Sequence, residues 1–556
     1  MDSKKILRFC LENGLLVDKD VLNLFSESSD IDSVKTLLSK IKNNTNQKII
    51  TKHTLDANKE KVNQIFLELP EEKQKKLEKF KIKLGLSIEI SKEVTHSKRG
   101  LAEKQGQSFS KERTQQTPEE RYKNREDKDQ KEKNDQEKQD NKTKRPSVEI
   151  LDMPNIESKK LDVKDFVVYF RNRLKMMRKF IQQHSDMKKL VSINKISGNT
   201  QGCSVIGLVS EKRITKNKNI LLEVEDLTGS IRVLINKNKP DLYEEAQNIT
   251  LDSVMGFSGG GNSEILFANK IVFPDLMLPE RKRSNKEEIA LFIGDLHVGS
   301  ENFMEENFLK FIDYLNGNVP NTPEVKKIKY ILVAGDVIAG AGIYAGQEDD
   351  LNIEGVEEQY EKVAELFSKI RKDITIIICP GNHDAMRIME PQPVLDEKYA
   401  GSLYELENVV LVRNPSNVLI GKNNEFSGMN VLFYHGYSFH YYADNIPELL
   451  EEKAKNKPDM IMKFLLKNRH LAPSHSSTLY FPLKEDPFLI KEAPDIFLVG
   501  HTHKSTVSYY NNIFLVSCSC WESKTSFQEK MGNEPDYCKV PALNLKTRAV
   551  KILDFE

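Results

Sequence analysis

The sequence predicts a layered α/β domain in the C-terminal half of the chain, preceded by a β-barrel and a small N-terminal helical domain. From residue 288 onward, apolar strand-like runs alternate with helical segments, which is the pattern of an α/β fold. Between 190 and 280 the apolar runs are short and separated by turns, as in an all-β domain. Within 1–60, apolar residues recur at helical spacing.

The segment 190–280 predicts a five-stranded barrel. The five apolar runs with strand character are Leu190–Ile196, Ser204–Val209, Ile220–Val224, Ile231–Ile235 and Ile265–Phe273. A short helix at 239–247 follows the fourth run, and a glycine-rich turn is expected before the fifth. Five strands with one interposed helix favour an OB-fold. Such barrels often bind single-stranded nucleic acid, but this one has few aromatic residues for base stacking, so contact with another protein is an equal alternative.

The segment 61–147 predicts a charged, largely disordered linker. Between Ser110 and Ser147 the only large apolar residue is Tyr122, so this stretch cannot bury enough surface to offset the entropy of ordering. A long solvated helix is the alternative. The unit at 1–60 that precedes the linker is expected to be an interaction module rather than a nucleic-acid binder.

A helical lead-in is expected at 148–189. Its apolar residues fit one face of a helix: Phe166, Val167, Phe170, Leu174, Met177, Phe180 and Ile181. Arg171, Arg173 and Lys175 fall on the other faces, where we expect solvated charge and not a DNA contact.

Overall composition narrows the class of protein. The 83 basic and 83 acidic residues cancel, so no general field attracts nucleic acid, and any DNA contact must come from local patches or another subunit. The 6 cysteines are scattered and predict free thiols in a reducing compartment. We find no signal core and no apolar run long enough to span a bilayer, which predicts a cytoplasmic protein without a membrane partner.

Five apolar runs in the C-terminal half each end directly before residues that can bind a metal ion. These residues lie in Gly294–His297, Gly335–Asp336, Gly381–Asp384, His435–Gly436 and Gly500–His503. The carboxyl ends of strands in an α/β sheet meet at one edge, where ligands normally bind. Each segment alone is a common surface turn, but five in order predict a metal site.

The donor types in these segments indicate which metals would bind. Imidazole, carboxylate and amide oxygen together suit Mn, Fe or Zn better than a thiolate site would. The donors are too many for one tetrahedral zinc ion. They fit two metal ions about 3.5–4 Å apart that share a carboxylate.

The ordered set of motifs resembles the calcineurin-like metallophosphoesterases over about 285–556. The resemblance implies a two-sheet sandwich flanked by helices, with two divalent metal ions, preferably Mn²⁺, and with Fe, Zn or Mg as alternatives. The implied metal ligands are Asp295, His297, Asp336, Asn382, His435, His501 and His503. Asp336 would be shared between the two ions.

The same resemblance implies roles for two residues that do not bind metal. His383 would contact the scissile phosphate or protonate the leaving oxygen. Asp384 would orient His383 through a ring N–H. The implied chemistry is metal-dependent hydrolysis of a phosphodiester.

A barrel followed by such a domain is similar to the B-subunit family of replicative DNA polymerases, and in particular to archaeal D-family small subunits. Further segments that carry the similarity are Asp165–Val167, Tyr169–Arg173, Gly342–Glu348, Glu390–Pro393, Arg469–Pro473 and Trp521–Gln528. The resemblance implies a 3′–5′ exonuclease that acts on single-stranded or mismatched 3′ ends of DNA. It also implies a partner, the large catalytic subunit that would hold the polymerising site.

Two other functions stay open at this point. The chain could be a catalytically silent scaffold, which the intact ligand set disfavours, or a stand-alone metallophosphoesterase, which the N-terminal domains disfavour.

Three single residues also have alternatives. His470 belongs to a structural loop or contacts substrate, His440 is expected to be an ordinary surface residue, and Trp521 lies in a core or at the interface with the large subunit. No residue is assigned to DNA binding.

Overall fold

We describe a computed structural model of the chain. The structure describes residues 3–13, 15–17, 21, 25, 34–40, 49–50, 147–151, 160–198, 200–525, 528–529, 532 and 534–556. Two compact units are present, at 1–115 and 116–556. The predicted linker at 61–147 lies outside the described residues except for Ser147, and so does much of the segment 1–60.

Short elements make up the described part of the first unit. Helix α1 spans Ser3–Glu12, and strand β1 (Leu16–Val17) pairs in parallel with β2 (Ile49–Ile50). Residues 34–40 are also helical. Buried apolar side chains in this unit include Ile6, Cys10, Leu15, Val21, Phe25, Val34, Leu37 and Leu38.

The segment that leads into the barrel holds one strand and one long helix. Strand β3 spans Val148–Ile150, and helix α2 spans Val163–Ile181. Helix α2 begins with a capping box between Asp162 and Asp165. Its buried face differs from the predicted one, because Val167 is 42% exposed whereas Arg173 is only 2% exposed. The expectation of a solvated Arg173 was therefore wrong.

A closed five-stranded barrel follows. Its strands are β4 (Thr200–Ile214), β5 (Ile220–Asp226), β6 (Gly229–Ile235), β7 (Val254–Gly261) and β8 (Ile265–Val272). They pair in the order β4-β5-β6-β8-β7, and β7 pairs with β4 to close the barrel. Helix α3 (Pro240–Gln247) lies between the third and fourth strands, close to the predicted helix.

Two predictions for the barrel were wrong. The expected first strand at 190–196 contains a 3-10 turn at Ile193–Lys195. The expected glycine-rich turn is the end of β7. A Cβ at Gly259 would lie 2.1 Å from the Phe267 oxygen, and one at Gly261 would lie 2.0 Å from the Ile265 oxygen. Glycine is present there because β7 approaches β8 too closely for a side chain.

Two six-stranded mixed sheets form the C-terminal half. The first contains β9 (Ile289–Ile293), β10 (Ile328–Val333), β11 (Thr375–Ile378), β12 (Val409–Leu411), β18 (Lys539–Asn544) and β19 (Val550–Asp554). The second contains β3, β13 (Ser416–Ile420), β14 (Met429–Phe433), β15 (Ile496–Val499), β16 (Thr506–Tyr510) and β17 (Ile513–Ser517). Their orders are β12-β11-β10-β9-β18-β19 and β16-β17-β15-β14-β13-β3.

The sheets pack face to face, and helices cover their outer faces. Phe292 of the first sheet and Phe433 of the second share one buried core, whereas Leu291 and Ile293 belong to the core on the outer face of the first sheet. This alternation is the two-residue period of a strand. The helices are α4 (Glu305–Leu315), α5 (Val356–Ser368), α6 (Glu397–Tyr404), α7 (Phe439–Asn445), α8 (Pro447–Glu451) and α9 (Pro458–Lys467).

Several single-residue expectations are settled by this core. Trp521 is fully buried among Phe308, Phe311 and Phe555, so it is a core residue and not an exposed anchor for a partner. All six cysteines are free thiols, as predicted. Among the described helices, none is both long and apolar enough to cross a lipid bilayer.

Candidate metal centre

The five predicted motifs lie at one end of the two sheets. The donor residues follow β9 (Asp295, His297), β10 (Asp336), β11 (Asn382), β14 (His435) and β15 (His501, His503). Strands β9, β10 and β11 are parallel neighbours in the first sheet, and β14 and β15 are parallel neighbours in the second. The sandwich therefore brings together residues that are more than 200 positions apart, such as His297 and His503.

Left-handed backbone is concentrated at these donors. Asp295, His297, Asp336, His501 and His503 have φ values of 52°, 51°, 50°, 63° and 54°. Few residues other than glycine adopt this region, and outliers of this kind cluster at functional sites. At each of these positions the residue with the unusual backbone is itself a donor.

Two glycines allow the loops to approach each other. A Cβ at Gly381 would lie 2.2 Å from the Asp336 Oδ1, and one at Gly335 would lie 2.7 Å from the His435 Nδ1. Any side chain at either position would therefore displace a donor residue. This steric constraint explains why glycine stands beside the donors at these two positions.

One group of donors comprises Asp295, His297 and His503. Their ligand atoms all lie within 4.8 Å of one another. The two Nε2 atoms of His297 and His503 are 3.1 Å apart, and the His503 Nε2 is 3.7 Å from the Asp295 Oδ1.

A second group comprises Asp336, His435 and His501, whose ligand atoms also lie within 4.8 Å of one another. The His435 Nε2 lies 3.2 Å from the Asp336 Oδ2 and 3.0 Å from the Asn382 Oδ1. Asp336 also clusters with His297 and His383. Its carboxylate is thus within reach of both groups, as a shared ligand would be.

The chemistry of these donors fits divalent cations. Desolvation by burial raises the pKa of Asp295, and burial together with neighbouring histidines lowers the pKa of His297 and His501. Burial also disfavours a charged His435, but the adjacent Asp336 carboxylate outweighs this effect and raises its pKa to about 10. Carboxyl groups and imidazoles that converge in a desolvated site are the donor set that Mn, Fe and Zn prefer.

Hydrogen bonds on the far ring nitrogens orient three of the histidines. The Nδ1 of His435 donates to the Ala334 carbonyl at 2.7 Å, and the Nδ1 of His383 donates to the Ala339 carbonyl at 2.9 Å. The Nδ1 of His503 lies 3.1 Å from the side-chain amide of Gln528. The two bonds to carbonyl oxygens leave Nε2 as the nitrogen of the His435 and His383 rings that can bind a ligand.

Asp384 does not make the contact that the resemblance implied. Its carboxylate accepts hydrogen bonds from the backbone N–H groups of Asp336 and Gly381 at 3.0 and 2.7 Å, and from the Tyr360 hydroxyl at 3.2 Å. Burial, followed by the nearby Asp336 charge, raises its pKa to about 7. The prediction that Asp384 orients the His383 ring was wrong, since the side chain is directed back to the strand ends, where it ties two loops together.

Five of the seven donors line a cleft of about 510 Å³, namely His297, Asp336, Asn382, His501 and His503. Sequence patterns did not identify every residue of this cleft. His440, which we expected to be an ordinary surface residue, lines this cleft, and its ring centroid is 5.0 Å from that of His501. Gln528 lines it as well. Position alone gave a signal for His440, since it closely follows the His435 motif.

His470 does not line the cleft. Its ring is 1% exposed, its Nε2 donates to the Asp486 carboxylate at 2.8 Å, and its Nδ1 accepts from the Ala472 N–H at 3.0 Å. Of the two alternatives for His470, a structural loop residue or a substrate contact, these contacts support the structural one.

Comparison with known proteins gives a consistent family. The model of the family that comprises the B subunits of DNA polymerases alpha and epsilon matches residues 290–508. The DNA polymerase II small subunit of Pyrococcus furiosus is 37% identical over 403 residues, which cover 71% of this chain and 64% of that protein. The small subunit of Methanothermobacter thermautotrophicus is 34% identical over 398 residues, covering 71% of this chain and 80% of that protein.

One solved structure, from a study of an archaeal phosphodiesterase, is 12% identical in sequence to this chain. Its TM-score is 0.24, and the match covers 48% of this chain and 98% of that one. That likeness is too weak to support a functional assignment. The curated relatives are much more similar, although the match spans less than two thirds of the Pyrococcus furiosus protein. By these identities, the chain belongs to the family of archaeal DNA polymerase II small subunits, within the wider family of polymerase B subunits.

Proposed function

We propose that this chain is a small subunit of a D-family DNA polymerase that hydrolyses the 3′ ends of DNA strands with two divalent metal ions. The observation that carries this proposal is the convergence of two donor groups around Asp336 in one open cleft. A silent scaffold would not need a full set of converging donors, four of which are buried.

The proposed ligands of the first ion are Asp295, His297, Asp336 and His503, and those of the second are Asp336, Asn382, His435 and His501. Bound divalent ions would supply positive charge that stabilises the negative charge of the phosphoryl oxygens. Mn²⁺ is the preferred candidate, with Fe, Zn or Mg as alternatives.

His383 is the proposed proton donor to the leaving 3′-oxygen. The Ala339 carbonyl engages its Nδ1–H, so that Nε2 is the nitrogen available to the cleft. Its ring centroid is 4.6 Å from that of His297, so it lies beside the donors. The proposed ligand sets are complete without it. Asp384 contributes indirectly, because it holds the Asp336 and Gly381 loops in register.

The domain assignment is also a proposal. We propose a helical N-terminal domain at 1–60, a linker at 61–147, a lead-in at 148–189, an OB-fold at 190–280 and a metallophosphoesterase domain at 285–556. The closed strand order and the helix between the third and fourth strands support the OB-fold. Because β3 pairs with β13, the lead-in begins with a strand that belongs to the second sheet.

The large catalytic subunit of the polymerase is the proposed partner, and a DNA 3′ end is the proposed substrate. A neutral chain attracts DNA weakly by itself, so a partner that holds primer and template would deliver the end. Since archaeal DNA lies in the cytoplasm, we still predict that the protein acts in that compartment. In size-exclusion chromatography with the large subunit, Asp336→Ala should co-elute like the wild type; loss of co-elution by a folded variant would contradict a separate interface.

The test of the proposed activity is hydrolysis of a single-stranded or 3′-mismatched oligonucleotide by the full chain. We expect nucleotides to be released from the 3′ end in Mn²⁺, and no release in excess chelator or with Asp336→Ala. Full activity in chelator, or activity that survives in Asp336→Ala, would overturn the proposal. A wild-type chain that binds Mn²⁺ but releases nothing would support the scaffold alternative.

A further inference from the structure

The cleft around the donors has two walls of different charge. One, here called the acidic wall, is lined by Tyr344, Asp350 and Glu522. The other, here called the lysine wall, is lined by Tyr437, His440, Lys455 and Lys504. Glu534 also lines the cleft, but its carboxylate is paired with Lys524 at 2.6 Å. This asymmetry is local, because the chain as a whole carries no net charge.

The acidic wall is unfavourable to a phosphate. Asp350 accepts a hydrogen bond from the Tyr344 hydroxyl at 2.8 Å and follows two other acidic residues in the 3-10 turn Gln347–Asp350. Glu522 is 7% exposed in the same wall. A strand with one negative charge per nucleotide would be repelled here.

The lysine wall offers cations and an uncommitted imidazole. His440 contacts the His501 ring on one side, and Tyr437 lies 5.6 Å from the same ring between centroids. Within the described residues, the His440 ring has no hydrogen-bond partner. Lys455 presents its ammonium 2.9 Å from Asp444, with a side chain that is 43% exposed. Lys504 is 3.7 Å from Asp536, beyond hydrogen-bond distance.

These ion pairs leave the lysines able to bind a phosphate. The Lys455–Asp444 pair is exposed and therefore weak, so an incoming anion can replace or share its carboxylate. The Lys504–Asp536 pair is more buried, but its 3.7 Å separation leaves the ammonium without a hydrogen bond to that carboxylate. Tyr437 adds an aromatic face, which is a sequence-independent surface for a sugar or base. The wall therefore combines the two features that bind single strands without reading their sequence.

We propose that the lysine wall is a subsite for the backbone of a single nucleic-acid strand, and that it holds the phosphate next to the scissile one. The subsite rests on the proposed function, since it fixes how a strand enters the same cleft. The strand would lie against the His501 side of the donors, and the acidic wall would exclude the opposite path.

The experiment measures binding of a fluorescent single-stranded oligonucleotide by anisotropy, in chelator so that no hydrolysis occurs. Lys455→Ala combined with Lys504→Ala should raise the Kd about ten-fold, and His440→Ala should raise it by a smaller factor. The dependence of log Kd on log salt should become shallower by about 0.7 for each phosphate that the variant no longer binds.

A charge-matched control separates local contact from general electrostatics. Lys457→Ala combined with Lys463→Ala removes the same charge, and both lysines are paired with carboxylates, at 2.8 and 2.6 Å. Neither lines the cleft. The control should bind like the wild type. Equal weakening in both double variants, or weakening in neither, would overturn the lysine wall as a subsite.

Failure of the proposed activity would be recognised separately. Hydrolysis of bis(p-nitrophenyl) phosphate in Mn²⁺ reports on the donors alone, because this small diester carries no flanking phosphate. In the lysine variant, the ratio of kcat/KM for the oligonucleotide to kcat/KM for the small diester should fall about ten-fold. A wild-type chain that hydrolyses neither substrate would refute the activity, whereas the anisotropy result would still decide the subsite.

Discussion

At the scale of single residues, the candidate metal centre is held by a strained backbone and oriented side chains. Five donors adopt left-handed φ values between 50° and 63°. Each such residue costs on the order of 1–3 kcal/mol. Asp384 helps to hold these turns in place, because its carboxylate accepts hydrogen bonds from the backbone N–H groups of two of the loops. The strain is the cost of directing short side chains at one point.

Gln528 is predicted to position His503 for metal binding. Its amide lies 3.1 Å from the His503 Nδ1, and bonds of this kind typically change metal affinity by about 10–100-fold. Gln528→Ala should weaken Mn²⁺ binding by that factor, measured by calorimetry on the full chain. Gln528→Glu, which replaces the contacting amide nitrogen with a carboxylate oxygen that can accept from the Nδ1–H of a metal-bound His503, should retain most of the affinity, and exposed Gln183→Ala should have no effect. Unchanged affinity in Gln528→Ala would exclude the role.

His383→Ala is predicted to separate catalysis from metal binding. The residue is proposed to protonate the leaving oxygen, so its removal should lower kcat by about 10²–10⁴-fold. Both metal ions should remain bound, as measured by metal analysis after gel filtration. Release of one ion when the imidazole is removed would mean that His383 is a ligand.

The sequence identified the donors but not the residues that support them. Asp295 and His297 could be predicted because ligand-type side chains follow strand ends in a recognisable order. Gln528 and Arg173 carry no such signal, since their partners are brought near only by the tertiary fold, and His440 has only its position after the His435 motif. Asp384 was found for the same reason as the donors, but its contacts could not be predicted from the order of residues.

At the scale of secondary-structure elements, a buried ion pair joins three parts of the second unit. Arg173 of helix α2 donates to the Asp486 carboxylate and to the Pro473 carbonyl, both at 2.6 Å. It also donates to the Asp252 carbonyl before β7, at 3.3 Å. Helix α2 is therefore fixed to both the barrel and the loop that follows α9.

Arg173→Ala is expected to destabilise the fold. Removing one partner of a buried pair leaves an uncompensated charge and costs about 3–5 kcal/mol. Arg171→Ala, two positions earlier on an exposed face, should change stability by less than about 0.5 kcal/mol. The measurement is urea unfolding followed by circular dichroism. Equal stability of the two variants would contradict the contacts of Arg173.

The same cluster predicts a pH dependence of stability. Burial, followed by the Arg173 charge, lowers the pKa of His470 from 6.5 to about 4 in the folded chain. Between these values the unfolded chain binds more protons, so the free energy of unfolding should fall as the pH drops from 6.5 towards 4. Asp486, whose pKa is also lowered, should contribute only below this window. His470→Gln should make the melting temperature less dependent on pH between 6.5 and 4. An unchanged pH dependence in this variant would contradict the role of His470.

The elements themselves were predictable where hydrophobic pattern and geometry agree. The five strands before the motifs were all confirmed, because each is a continuous apolar run buried on both faces. Strand β7 was missed since its three terminal glycines are typical of a turn. Their place in the strand depends on how closely β8 approaches, and that distance is set by tertiary structure.

At the scale of the whole molecule, the site exists because two separate sheets end at the same place. The donors after β9 to β11 come from one sheet, and those after β14 and β15 come from the other. Periodicity predicts each strand but not which sheet it joins, so the two-sheet arrangement followed only from the family resemblance. The pairing of β3 with β13 had no sequence signal, because the three residues of β3 are too few to show a pattern.

The central claim is that two metal ions share Asp336 and act together on a phosphodiester. The most direct test is calorimetric titration of Mn²⁺ into the metal-stripped full chain, with hydrolysis of a 3′-labelled strand measured at each step. We predict two ions per chain, with activity that rises as the second ion binds, and neither a second ion nor activity in Asp336→Ala. Full activity with a single bound ion, or two ions retained in Asp336→Ala, would contradict the claim.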